Sequence, residues 1–230
     1  MIEVKNVSKR FDNLVVLDDV SFQVKEAQLV VILGPSGTGK TVLLKSIIGL
    51  QGLDQGDVIF DGVSVHNNKG NHHLYDIRRK IGFVFQGTAL FDSLNVCDNI
   101  ALPLIEHTKF KNNEIRDRVC EILSIIGLTG KENLYPMSLS GGMKRLVAVG
   151  RALALDPDYL FYDEPTTGLD PIMRDRVVRL IVELKQKYKK SGIVVTHDLE
   201  TAQAVGDEVY MLKKGSISKL KHIGKEEYNA

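Results

Sequence analysis

The chain has little of several things that would narrow its class at once. Cysteine occurs only twice in 230 residues, as Cys97 and Cys120. Two cysteines build no disulfide framework, and both suit a reducing compartment as unpaired thiols. Charge of one sign is not in excess: 30 basic against 29 acidic residues leave a formal net charge of +1. That balance argues against nucleic-acid binding by bulk charge. No apolar run approaches the roughly 20 residues of a membrane span. Met1 is followed directly by Ile2-Glu3-Val4-Lys5, which predicts no signal peptide. The expectation is a cytosolic protein, or a cytosolic subunit of something larger. No internal repeat or low-complexity tract stands out. The composition is 43% hydrophobic and 26% charged, ordinary for a globular protein with ample core. Its length allows one large domain or two small ones. Lysines cluster at Lys185, Lys187, Lys189 and Lys190, which reads as a solvated surface.

The strongest feature present is Gly34-Pro35-Ser36-Gly37-Thr38-Gly39-Lys40-Thr41. It fits G-x-x-x-x-G-K-[ST], a loop whose backbone N–H groups cradle phosphates. Leu29-Val30-Val31-Ile32-Leu33 before it reads as a strand buried on both faces. Val42, Leu43, Leu44, Ile47 and Ile48 after it have helical spacing. The loop therefore opens a helix, whose positive end faces an anion. Lys40 adds a point charge for the outer phosphates, and Thr41 adds a hydroxyl for Mg²⁺. The chain is expected to bind a nucleoside triphosphate.

Alternating apolar residues place strands around Ile2 and Val4, along Val15, Leu17, Val20, Phe22 and Val24, and at Val58-Ile59-Phe60. The last is closed by a turn at Asp61-Gly62. These predict an antiparallel sheet beside the loop-bearing strand. The polar stretch from His66 to Tyr75 reads as a loop. Ile115, Val119, Ile122, Leu123 and Ile126 predict a helix over about 112–127, ended by Gly127. A second helix is expected from Gly141 to Leu155. Strands are hard to find between Leu90 and Leu155, so this stretch reads as a helical insertion. Tyr159-Leu160-Phe161-Tyr162 and Ile193-Val194-Val195 restore the buried-strand pattern, with a helix between them on Val177, Leu180, Ile181, Leu184 and Tyr188. Val209–Leu212 and Ser216–Ser218 flank Lys213-Lys214-Gly215 as a hairpin.

Asp163 and Glu164 directly follow one of these strands, and His197 follows another after Thr196. Ligands in open α/β sheets sit beyond the C-terminal strand ends, so three separated segments are expected to converge on one crevice. A strand-end aspartate beside a phosphate loop suits Mg²⁺, with Asp163 acting largely through water. The adjacent Glu164 suits a general base that polarises attacking water. His197 suits a hydrogen bond to the γ-phosphate or to that water. His66, His72 and His73 also lie near one another, but converging ligands with outer support are needed for a metal site. They read as ordinary exposed histidines.

Over essentially its whole length the chain resembles the ATP-binding cassette (ABC) ATPases. Besides the phosphate loop and the strand ending in Asp163-Glu164, Leu139-Ser140-Gly141-Gly142-Met143 looks like the family signature. Gln86 sits at the family's Q-loop glutamine and is counted with Thr41 and Asp163 toward the metal. Gly168-Leu169-Asp170 looks like the D-loop, and His197 like the switch histidine. Phe11 lies where the family often stacks an aromatic on adenine. The resemblance implies an α/β P-loop fold: a mostly parallel core sheet, an antiparallel β subdomain and an inserted helical subdomain. The expected division is a catalytic core with its β subdomain over 1–86 and 158–230, and a helical subdomain over 87–157. The helix start at Ser140, Gly141 and Gly142 is a second anion site. The resemblance implies that it meets the γ-phosphate bound by another subunit, so that two ATP molecules lie sandwiched in a homodimer. The fifth signature residue is commonly glutamine and is Met143 here, which removes any polar role for that side chain.

A finer resemblance, to the Mla/Mce-type lipid-transport ATPases, lies in residues 87–104 after Gln86, in Leu74-Tyr75 with Arg78-Arg79-Lys80, in Glu106-His107 and in Met143. It implies the ATPase subunit of a phospholipid transporter at the cytoplasmic face of the cell membrane. The implied partners are an integral-membrane permease and a lipid-binding Mce-type protein, and not nucleic acid. Two other readings stand beside it: the ATPase of an importer for amino acids, metals or another small solute, and a non-transport ABC ATPase acting on ribosomes or DNA. The latter would carry tandem cassettes, a coiled-coil insertion or a basic face.

Overall fold

A computed structural model describes residues 1–66 and 71–220, with residues 71–73 described by their backbone. In chain order the elements are β1 (Ile2–Phe11), β2 (Leu14–Val24), β3 (Leu29–Leu33), α1 (Lys40–Ile47), β4 (Gln55–Phe60), β5 (Val63–Ser64), α2 (Asn71–Arg79) and β6 (Ile81–Val84). There follow α3 (Val96–His107), α4 (Asn112–Ile125), a 3₁₀ turn (Pro136–Ser138), α5 (Gly141–Leu153), β7 (Tyr159–Asp163), α6 (Pro171–Gln186), β8 (Ser191–Thr196), α7 (Leu199–Val205), β9 (Glu208–Lys213) and β10 (Ser216–Lys219). Two compact units emerge. One joins Met1–Arg79 to the chain from Val182 onward, and the other is Lys80–Ile181.

The first unit holds two sheets. One is antiparallel in the order β2-β1-β4-β5. Its strands alternate: Ile2, Val4, Val7, Leu17, Val20, Phe22 and Val24 are buried while their neighbours face water. In the other, β3 pairs in parallel with β8 on one side and β9 on the other, and β10 closes β9 antiparallel. Every residue of β3 and of β8 is buried, so these strands pack on both faces. Against them α1 buries Leu43, Leu44 and Ile47.

The segment predicted as a loop from His66 to Tyr75 needs correction, because α2 begins at Asn71. Among its described side chains the aliphatic ones are Leu74 and Ile77, and Ile77 is buried. Much of its hold comes instead from Arg78, which donates to the Ile48 carbonyl at 3.2 Å and the Gly49 carbonyl at 2.8 Å. These are carbonyls that the end of α1 leaves without helical partners. The helix is polar in composition, Asn71-His72-His73-Leu74-Tyr75-Asp76-Ile77-Arg78-Arg79, which is why the stretch reads as a loop. His66 lies just before it, half-buried, with Nε2 bonded to the Ser46 carbonyl at 2.7 Å. The His72 and His73 side chains fall outside the described residues.

In the second unit β6 and β7 pair in parallel, with Val84 opposite Tyr162. Between them in sequence lie α3, α4 and α5 and no strand, which matches the helical insertion. The α4 helix ends as expected, with Gly127 at φ 65°. Cys97 and Cys120, in α3 and α4, are both free thiols. The strand β6 went unforeseen because it is short and contains Gly82. A Cβ there would stand 2.4 Å from the Ala152 carbonyl oxygen and 2.7 Å from Leu160, so only glycine lets the end of α5 lie on β6. Gly82→Ala is expected to destabilise the protein by about 1–3 kcal/mol, the usual cost of overpacking a core. A urea unfolding midpoint would register it, and an unchanged midpoint would contradict this packing.

Candidate functional site

In the first unit the chemistry gathers at the C-terminal ends of β3 and β8. Leu33 and Thr196 are paired, and the Gly34 N–H donates to the Thr196 carbonyl at 3.2 Å. The phosphate loop and His197 therefore leave the sheet side by side. Gly37 and Gly39 have φ of 81° and 99°, which glycine adopts without strain. A Cβ on Gly39 would also strike Val16 at 2.6 Å, and one on Gly34 the Leu212 carbonyl at 2.6 Å. The loop passes too close to the sheets for side chains at these points. Lys40 is buried, and its ammonium donates to the carbonyls of Gly34 at 2.7 Å and Pro35 at 2.9 Å. The Thr38 hydroxyl donates to the Pro35 carbonyl at 3.0 Å. Pro35, Ser36 and Gly37 are exposed, and Thr41 in the first turn of α1 is half-buried. A loop of this shape at a helix start turns its backbone donors to an anion.

Phe11 closes β1 and is 40% exposed, with the Lys9 ammonium 5.3 Å from its ring centroid. It is a surface aromatic with an open face rather than a core side chain.

In the second unit β6 and β7 run parallel with Val84 opposite Tyr162, so Gln86 and the pair Asp163-Glu164 follow the same end of these two strands. Gln86 is exposed, whereas both carboxylates are buried. Glu164 has φ 50°, a left-handed conformation uncommon for a residue with a Cβ and concentrated at functional sites. Its Oε2 accepts from the Thr167 hydroxyl at 3.0 Å. Ser140 caps α5, its Oγ accepting from the Met143 N–H at 3.2 Å. Gly141 is exposed and Gly142 buried, the latter so close to Met173 that a Cβ would meet it at 2.5 Å. That contact sets the head of α5 beside the head of α6. There Asp170 caps, its Oδ1 accepting from the Met173 N–H at 3.0 Å.

The Tyr162 hydroxyl, wholly buried beside Asp163 in sequence, has its pKa driven far up by burial. It stays a neutral phenol.

Two residues were invisible to sequence reasoning. Asn99 is fully buried in α3. Its Oδ1 accepts from the Phe91 N–H at 3.0 Å, and its amide donates to the carbonyls of Phe91, Leu94 and Asn95. It thereby fixes the segment that follows Gln86. Arg145 in α5 is buried and donates to the Phe85 carbonyl at 2.8 Å. The available signal was a polar residue set among apolar ones, in Ile100-Ala101 and in Leu146-Val147-Ala148-Val149.

The family described as ABC transporter matches residues 17–167. The chain belongs to the ABC transporter ATPases. As a member it binds and hydrolyses ATP. It is 42% identical over 212 residues to the intermembrane phospholipid transport system ATP-binding protein MlaF of Haemophilus influenzae, covering 92% of this chain and 80% of that one. It is also 42% identical over 211 residues to the probable ribonucleotide transport ATP-binding protein mkl of Mycobacterium leprae, covering 92% of this chain and 60% of that one. Against the glutamate/aspartate import ATP-binding protein GltL of Escherichia coli the identity is 37% over 217 residues, with 94% and 89% covered. Among solved structures, a dimeric ATP-binding cassette in a post-hydrolysis state, bound to ADP and Pi, superposes with a TM-score of 0.85. It shares 34% identity and covers 96% of this chain and all of that one. These cassettes share the α/β fold expected from the sequence. No helix among the described residues is long and apolar enough to cross a membrane.

Proposed function

We propose that this ATPase works as a homodimer that drives a membrane permease carrying phospholipid or a related lipid. The observation that carries the hydrolytic chemistry is Glu164, a buried carboxylate at the C-terminal end of β7 directly after Asp163. Glu164 takes a proton from water as the oxygen attacks the γ-phosphorus. The bond from that phosphorus to the bridging oxygen breaks, leaving ADP and inorganic phosphate. Lys40 and the loop amides of Gly34–Thr41 hold the outer phosphates, His197 hydrogen-bonds the γ-phosphate, and Phe11 stacks on adenine. Thr41, Asp163 and Gln86 offer hydroxyl, carboxylate and amide oxygens. An all-oxygen donor set of this kind would suit Mg²⁺, which would neutralise charge on the phosphates. Ser140, Gly141, Gly142 and Asp170 serve the nucleotide held by the second copy. In this reading residues 1–86 and 158–230 form the catalytic core, and 87–157 the helical subdomain.

The lipid reading is supported by the likeness to MlaF together with residues 87–104. The mkl and GltL likenesses keep a small-solute importer as the second reading. A lipid transporter would add a Mce-type lipid-binding partner and keep this subunit on the cytoplasmic face of the membrane. The docking segment is assigned to residues 87–104, where Asp92 and Ser93 are exposed and Phe91 is half exposed. Ser93→Glu is expected to weaken capture of the permease and phospholipid transfer in reconstituted vesicles. ATP affinity of the isolated subunit should stay nearly unchanged, because the phosphate loop is untouched. Normal capture and transfer across several charge substitutions in this segment would refute the docking assignment. Full capture of a permease that moves amino acids and no lipid would favour the importer.

A further inference from the structure

Lys9, Arg10 and Phe11 end β1, and Asp54, just ahead of β4, holds the first two. Its Oδ1 accepts from the Lys9 ammonium at 2.8 Å, and its Oδ2 accepts from the Arg10 backbone N–H at 2.6 Å. Its own N–H donates to the Ser8 carbonyl at 3.0 Å. The same Lys9 ammonium lies over the Phe11 ring, 5.3 Å from its centroid, within the reach of a cation–π contact. The Lys9 side chain is 13% exposed and that of Asp54 44%. An ion pair with so open a carboxylate contributes little to stability. Its effect is geometric: it fixes a cation over the Phe11 ring and pins the backbone directly before that residue.

The place of this cluster matters. In the hairpin of β1 and β2, Lys9 pairs with Leu17 and Arg10 with Val15. Val16, between those partners, is the residue that a Cβ on Gly39 would strike at 2.6 Å. The strand end bearing Phe11 therefore lies one strand from the phosphate loop, within the unit that joins Met1–Arg79 to the chain from Val182. A similar set occurs at β9 and β10, where Lys219 bonds Glu208 at 2.9 Å and lies 6.0 Å from the Tyr210 ring centroid. There the Tyr210 hydroxyl itself donates to Glu208 at 2.9 Å, so the aromatic side chain anchors itself. Phenylalanine has no polar atom, and a ring 40% exposed is held in place only through what touches it and its neighbours. A ring ordered before a ligand arrives loses less conformational entropy on binding.

We propose that Asp54 is a positioning residue for the nucleotide base, presenting the Phe11 ring for stacking through Lys9 and the Arg10 backbone. It touches no nucleotide and acts through Phe11, so the inference rests on Phe11 being the aromatic that stacks on adenine.

Calorimetric titration of the full chain with ADP and Mg²⁺ tests this, since ADP carries the base and is not turned over. Phe11→Ala is expected to raise the dissociation constant about tenfold, the scale of base–aromatic stacking. Asp54→Ala should raise it about three- to tenfold, the scale of immobilising one side chain on binding. In the Phe11→Ala background, Asp54→Ala should add less than about twofold, because the ring it acts through is gone. A merely structural Asp54 would instead lower the urea midpoint and weaken ADP binding equally in both backgrounds. That additive result, or unchanged affinity in Asp54→Ala, overturns the proposal. If Asp54→Ala does not fold, Lys9→Met, which keeps the stem and drops the cation, is read by the same criteria in both backgrounds. Unchanged affinity in Phe11→Ala would remove the stacking role and the proposal with it, whereas weakened binding there beside a normal Asp54→Ala would remove only the positioning role.

Discussion

Glu164→Gln is expected to lower ATP hydrolysis by roughly 10²-fold or more, the usual cost of losing a general base, while nucleotide binding persists. The substitution preserves shape. Glutamine still offers an oxygen to the Thr167 hydroxyl, which donates to Glu164 Oε2 at 3.0 Å. It also imposes no new demand at φ 50°. What it removes is the basic oxygen to which the proposal assigns the proton from water. With hydrolysis blocked and ATP still held, the dimer cannot be cleared by turnover. The variant should therefore elute as a dimer on size-exclusion chromatography with saturating ATP and Mg²⁺, and as a monomer without nucleotide. Phosphate release and elution volume are the two measurements. A monomer under saturating ATP, or full hydrolysis, would count against Glu164 as the base.

The buried strands β3, β7 and β8 were legible because residues packed on both faces must be apolar throughout, and short unbroken runs mark them. The phosphate loop was legible for a related reason. Its glycines answer to backbone geometry at Gly37 and Gly39 and to close approach at Gly34 and Gly39, so composition at fixed spacing encodes shape. Elements held by polar side chains were not legible. The helix α2 is tied by Arg78 to carbonyls of Ile48 and Gly49, a contact about 30 residues away in sequence that no local pattern carries. The helix α3 contains Pro103, which reads as a stop although the chain continues helically to His107. The strand β6 has glycine at its second position and offered no run. Within the candidate site, Asp163 and Glu164 were found because a strand end is a local signal. Arg145 and Asn99 escaped, since what they hold depends on which backbone groups the fold sets against them.

Lys40→Ala is expected to weaken ATP binding by about 10- to 100-fold, because a hydrogen bond to a charged group contributes about 1.5–3 kcal/mol and each 1.4 kcal/mol is tenfold. Hydrolysis should fall further, since the same cation stabilises charge that builds on the transferring phosphoryl group. The ammonium is buried, and it bridges the carbonyls of Gly34 and Pro35 at 2.7 and 2.9 Å. The lysine therefore closes its own loop as well as charging it. Alanine leaves both carbonyls short of that donor and the loop without its clasp. Lys40→Arg should not rescue, because a planar guanidinium does not reproduce a compact point charge within a loop this tight. Titration with a fluorescent nucleotide and an assay of phosphate release would test both variants, with the urea midpoint confirming that they fold. Near-normal affinity and turnover in Lys40→Ala would remove Lys40 from the phosphate site, and with it the reading of Gly34–Thr41 as the nucleotide cradle.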